Sequence, residues 1–240
     1  MMRILFATML LAQFAVHSAA NAGDAANLEI LGFSEDGKIF AFEEYGIQDG
    51  SGFAYASRFY IDTSTDKFLP GTPVRVRLDD ETAGIDKARS QARTAGEKIM
   101  ADAVLAAHRG NTVGMNAPTE LNADPFRMVV NPRPVFPQID PTLEFRLEQI
   151  PLTASEVCES QGPAAGFRLL RIDPTDGGTT KLLHEDKTIP KSRNCPHGYS
   201  IGGVQTYFDG EAPVFAVLIS VRQYGFEGPD HRWIAVTGRL

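Results

Sequence analysis

The residues best suited to chemistry in this chain cluster around two acidic, glycine-rich tips. Glu43 and Glu44 precede Gln48-Asp49-Gly50-Ser51-Gly52, which contains Asp49, and Asp230 follows the stretch Gly225 to Gly228, which contains Glu227. Arg58 follows the first tip and Arg232 the second. Two carboxylates held roughly 5 to 10 Å apart can hydrolyse a glycosidic bond, one as acid and the other as base or nucleophile. The plainer reading, which is preferred, is solvated loop charge paired with Arg58 and Arg232. Calcium needs about six to eight oxygen ligands, and no Asp-x-Asp-x-Asp-Gly spacing supplies them. No metal and no cofactor is expected. His197 lies two residues past Cys195, and His231 follows Asp230, so both are acid–base candidates. Neighbours on a strand point to opposite faces, so the adjacency of Asp230 and His231 does not make a dyad. His108 and His184 stand apart from the tips. Gly50-Ser51-Gly52 reads as a flexible turn, because a nucleophile elbow has its glycines two residues away on each side. His-Glu-x-x-His, a phosphate-binding loop and a dinucleotide fingerprint are all missing from the sequence.

Two cysteines, Cys158 and Cys195, remain to be explained. An even count in an oxidising compartment favours a disulfide, worth about 4 kcal/mol on the chain-entropy account. The compartment is read from the first 22 residues. Met1-Met2-Arg3 gives a positive start, Ile4 to Val16 is apolar except for Thr8 and Gln13, and Ala20-Asn21-Ala22 fits a small-x-small cleavage site. A signal peptide over 1–22, cleaved before Gly23, is expected. The apolar run falls short of the roughly 20 residues that span a bilayer. A soluble protein of the periplasm or exterior follows, with no membrane span after cleavage. The 240 residues carry 23 Lys plus Arg against 30 Asp plus Glu, a net charge of −7 without a basic run. That balance argues against nucleic acid as a partner.

The elements that must position these groups are mostly strands. Leu28 to Phe33, Ile39 to Tyr45 and Phe53 to Asp62 read as a meander, with Asp36-Gly37 as a hairpin signal and Phe40 and Phe42 on one face. Val74 to Leu78 reads as a further strand. Residues 82–109 carry Ile85, Ala88, Ala92, Ala95, Ile99 and Ala103 at three-and-four spacing, which predicts one long helix with an alanine-rich stripe. Such a stripe packs closely but buries little area, so the helix needs a partner surface. Residues 111–141 contain Pro118, Pro125, Pro132, Pro134, Pro137 and Pro141, and read as a connector with one short strand near Phe126 to Val130. Strands return from Thr142. Val214 to Val221 is apolar on both faces and should lie centrally.

The order Gly-Phe, Asp-Gly, Phe-Ala-Phe, Tyr-Gly, acidic tip and Arg-Phe-Tyr-Ile around 32–61 is echoed at 202–235. The echo suggests two similar three-stranded units. Further, Gly32-Phe33-Ser34-Glu35-Asp36-Gly37-Lys38, Phe42-Glu43-Glu44-Tyr45-Gly46, Pro190-Lys191-Ser192-Arg193-Asn194-Cys195-Pro196 and Gly225-Phe226-Glu227-Gly228-Pro229-Asp230 resemble a family of bacterial predicted secreted proteins of unknown function. The resemblance implies a secreted domain and supplies no activity or catalytic residue. Together these readings predict a mostly β, α+β chain of antiparallel meanders, forming a single domain over 23–240. The expected role is a non-catalytic binding or envelope-associated protein of unknown ligand, its partner an envelope protein or a small ligand. A carboxylate-based hydrolase and a structural partner of another envelope protein are the alternatives.

Overall fold

The computed structural model describes residues 23–117, 120–154, 156, 158–175 and 177–240. The signal peptide expected over 1–22 lies outside the described residues. Among the described residues thirteen strands form three antiparallel sheets. The first contains β1 (Asn27–Phe33), β2 (Ile39–Ile47), β3 (Ala54–Asp62) and β4 (Lys67–Phe68) in sequence order, with β5 (Val74–Arg77) also paired to β3. The second, in the order β10-β9-β8-β7, uses β7 (Arg127–Val130), β8 (Leu143–Leu152), β9 (Ala164–Ile172) and β10 (Thr180–Glu185). The third, in the order β13-β12-β11-β6, uses β6 (Asn111–Met115), β11 (Pro196–Tyr207), β12 (Val214–Tyr224) and β13 (Pro229–Arg239).

The third sheet is the middle layer, and β12 shows why. Successive side chains of a strand alternate between faces. Val214, Ala216 and Leu218 pack with Ile30, Phe33, Phe40, Phe42 and Phe59 of the first sheet. Phe215, Val217, Ile219 and Val221 pack with Met128, Phe145, Phe167 and Leu169 of the second. A strand apolar at every position from Val214 to Ile219 thus serves two cores, as its sequence requires.

The outer face of the first sheet is closed by helices. The single helix expected over 82–109 is instead two: α1 (Ile85–Gly96) and α2 (Asp102–Ala107). Ala88 and Ala92 of α1 meet Ala54 and Ala56 of β3, so the small-residue stripe brings two backbones close. The break has a local cause. A Cβ at Gly96 would lie 2.2 Å from the Tyr60 hydroxyl, so only glycine fits at this approach. The chain then turns and restarts at Asp102, whose carboxylate receives Nη1 and Nη2 of the buried Arg58 at 2.6 and 3.1 Å. The connector also differs from expectation. Its short strand is β7, but residues 111–115 form β6 and pair with β11. Asn111-Thr-Val-Gly-Met lacks the length and alternation that would mark a strand.

Candidate functional site

β13 is an edge strand of the middle sheet, and a cleft of about 890 Å³ lies beside it. One wall comes from the first sheet through Tyr55, Ser57 and Phe59 of β3 and Arg75 and Arg77 of β5. The other comes from the loop after β10, through Pro190, Ser192, Arg193 and Asn194. That loop is fixed by the Cys158–Cys195 disulfide. It is also held by Arg193, whose Nη1 donates to Asp186 at 2.5 Å, and by the Gln223 amide, which donates to the Arg193 carbonyl at 2.9 Å. Phe68 at one end and Tyr224 and Phe226 at the other expose aromatic surface.

Carboxylates line the cleft, and each is engaged. Glu44 follows Phe40 and Phe42 on the apolar face of β2 and is buried there. Its Oε2 accepts the Trp233 N–H at 2.8 Å. Burial pushes its pKa up from 4.5 to about 7, against that hydrogen bond and the charges of Arg232 and Arg75. Asp66 adopts φ 54°, a left-handed conformation that Asp tolerates, and its Oδ1 accepts the Thr237 N–H and hydroxyl at 2.7 and 2.9 Å. Burial raises its pKa as well. Asp230 accepts the Asp24 N–H at 2.9 Å and faces Arg232 Nη2 at 3.4 Å. Asp24 in turn accepts from Arg232 at 2.7 Å and from the Tyr55 hydroxyl at 3.0 Å. Burial raises Asp24 despite the Arg232 charge.

Of the residues singled out in the sequence, Glu44, Asp230 and Arg232 meet in this cleft. Glu43 and Arg58 do not. Glu43 points to the helix side of β2, where it takes Arg58 Nε at 2.8 Å and a second hydrogen bond from Arg89 of α1. The two glycine-rich tips do touch: Asp49 accepts the Glu227 N–H at 2.7 Å. His197 packs against Tyr224 with the two rings tilted, and His231 lies 3.2 Å from Ser220 Oγ. Burial, with the Arg222 charge, lowers both imidazoles, and neither is among the cleft-lining residues. Asp24, Asp66, Arg75 and Arg77 escaped sequence reasoning, as did His184, which enters the cleft beside Asp186. For Glu44 a signal existed: a carboxylate continuing the Phe40–Phe42 face must be buried.

Among the described residues, no group of three or more His, Cys, Asp or Glu is placed to hold a metal ion. No helix among them is long and apolar enough to cross a membrane. These features define a disulfide-bonded, three-sheet β protein with a polar and aromatic cleft at a sheet edge. The chain belongs to the family described as "Predicted secreted protein (DUF2259)", which matches residues 41–239. No curated protein and no solved structure matches it.

Proposed function

We propose that this chain acts outside the cytoplasm, after loss of residues 1–22, as a non-catalytic binding module whose ligand site is the cleft beside β13. In a Gram-negative host that places it in the periplasm. One observation carries the reading: the cleft presents two exposed guanidinium groups beside aromatic surface, while its carboxylates are already hydrogen-bonded inward. Arg75 has no carboxylate within 4 Å among the described residues and reaches over the Phe59 ring, 6.0 Å from its centroid. Among the described residues the one ion pair of Arg77 is with exposed Asp79, a contact that water and salt weaken, and its guanidinium also lies over the Phe53 ring. A ligand bearing an anion fits this pattern.

Trp233, the only tryptophan in the chain, lines the cleft and reports on its occupancy. Its emission should shift saturably with at least one class among dicarboxylates, acidic disaccharides and acidic tetrapeptides, and Arg75→Glu should abolish the shift. Emission that stays flat with every class would sink the reading.

The hydrolase reading keeps one specific support, the raised Glu44, since a protonated carboxyl near neutral pH is what a general acid requires. Its second group would be Asp230. Release of reducing sugar from acidic oligosaccharides, lost in Glu44→Gln, would favour it over simple binding.

A further inference from the structure

The outer edge of β13 is the feature of the cleft that says most about its occupant. The pairing of β12 with β13 runs without a shift from Val214–Arg239 to Tyr224–Pro229. In such a ladder alternate residues direct their N–H and C=O groups away from the partner strand. The outward set is identified by its bonds. His231 N–H donates to the Asp24 carbonyl at 2.8 Å, and the His231 carbonyl accepts the Ala26 N–H at 3.1 Å. Trp233 N–H donates to Glu44, and Thr237 N–H to Asp66. Ala235, between them, must also face outward. Among the described residues no hydrogen bond reaches its outward N–H or C=O, or the carbonyl of Trp233.

This edge is therefore covered unevenly. Residues 24–26 already add a short parallel bridge at His231, so the edge accepts an extended chain. Glu44 and Asp66 then cap the N–H groups on either side of Ala235. Proteins blunt sheet edges in this way to prevent unwanted pairing. Here Ala235 is left with both its N–H and its C=O open between two neighbours whose N–H groups are capped, and it lines a cleft instead of facing bulk solvent. An unpaired, half-buried amide is costly unless something completes it.

We infer that β13 receives an extended acidic peptide segment of a partner protein by strand addition, centred on Ala235. This rests on the reading of the cleft as a ligand site and names its ligand class. In either sense of pairing, the peptide uses both the N–H and the C=O of Ala235. Glu44 and Asp66 already occupy the acceptor positions opposite Trp233 and Thr237, so the added segment pairs over about three residues centred on Ala235, roughly 7 Å at about 3.3 Å per residue, and its ends leave the edge. Backbone pairing supplies attraction, and alternate side chains supply selection. Arg75 and Arg77 on the facing wall select acidic side chains, while Phe68 and Phe226 bracket the ends. The caps limit the pairing to one register, because any other would have to displace a buried carboxylate.

The test uses the mature chain and a pool of acetylated, amidated pentapeptides with glutamate at the second and fourth positions. Binding is followed by Trp233 emission and by hydrogen exchange at Ala235. Saturable binding, with exchange at Ala235 slowed at least tenfold and that of buried β12 amides unchanged, is the expected result. N-methylation of every second peptide amide should weaken binding at least tenfold in one of the two phases. Ala235→Pro should do the same, since proline is tolerated where an edge N–H points outward. The N-methylated peptides decide the matter even if that variant folds poorly. Equal affinity for both methylated phases, or unprotected Ala235 in the bound state, overturns strand addition. Binding of acidic disaccharides or dicarboxylates through Arg75, without peptide binding, also overturns it but leaves the cleft as a ligand site. Failure of every anion removes both.

Discussion

Glu43 and Glu44 are neighbours on β2, yet they inhabit opposite regions of the molecule. On the helix side, Glu43 is fully buried between the guanidinium groups of Arg58 and Arg89. Arg58 itself is buried, and burial alone would lower it; Asp102 and Glu43 more than offset that and raise it. On the cleft side, Glu44 is almost as buried but among the described residues has only the Trp233 N–H within hydrogen-bond reach, and burial pushes its pKa up to about 7. The first face closes the fold with compensated charge. The second keeps a carboxyl whose charge state depends on pH and on whatever enters beside it. One residue of register separates a structural role from a candidate functional one.

The comparison can be broken most sharply at Arg58. Arg58→Ala leaves Glu43 buried with Arg89 alone and unties Asp102 from the sheet. It should cost about 3–5 kcal/mol in urea unfolding; a loss below about 1 kcal/mol would mean that the helix face is not held by its charges. Replacing Cys158 and Cys195 together by Ser should cost about 2–4 kcal/mol. Hydrogen exchange should then quicken in the 190–194 wall of the cleft and not in α1.

Glu44→Gln should have an effect of opposite sign. A carboxyl with its pKa raised in the fold takes up a proton on folding between its ordinary 4.5 and about 7. The native protein therefore loses stability as pH rises through that window. The variant should match the native protein near pH 4.5 and exceed it by on the order of 2 kcal/mol at pH 8, as read from paired denaturation curves. A constant difference across that range would show that Glu44 does not titrate there. The smallest change is expected at Arg77. Arg77→Ala breaks an exposed pair with Asp79 and should alter stability by less than about 1 kcal/mol, while weakening acidic probes in the Trp233 titration.

Much of the framework was legible because it obeys local periodicity. The alternation of Phe40 and Phe42 announces the apolar face of β2, and the apolar run Val214–Ile219 of β12 announces burial on both faces; that the other face of β2 is also buried, under the helices, carried no such signal. The helix break was not legible, since it depends on Tyr60 meeting Gly96 and on Arg58 reaching Asp102, 44 residues away. The cleft was legible only in part for the same reason. The acidic tips pointed to Glu44, Asp230 and Arg232, and the tips do meet. Asp24, Asp66 and Arg75 join them only through pairing across the fold, and Thr237 lies 171 residues from Asp66. No local spacing encodes such a contact. The outward amide of Ala235 carries no side-chain signature at all; it follows from register.

The middle sheet has a consequence for how the chain acquires its shape. β11, β12 and β13 follow both flanking sheets in sequence, apart from the small contribution of β6. During synthesis, neither flanking sheet meets its apolar counterpart until the last strands emerge. The early segments cannot bury their inner faces and stay open to chaperones or to threading through a membrane pore. Only when β12 arrives can both cores close, so folding should be slow and late, through intermediates in which the flanking sheets are incompletely packed.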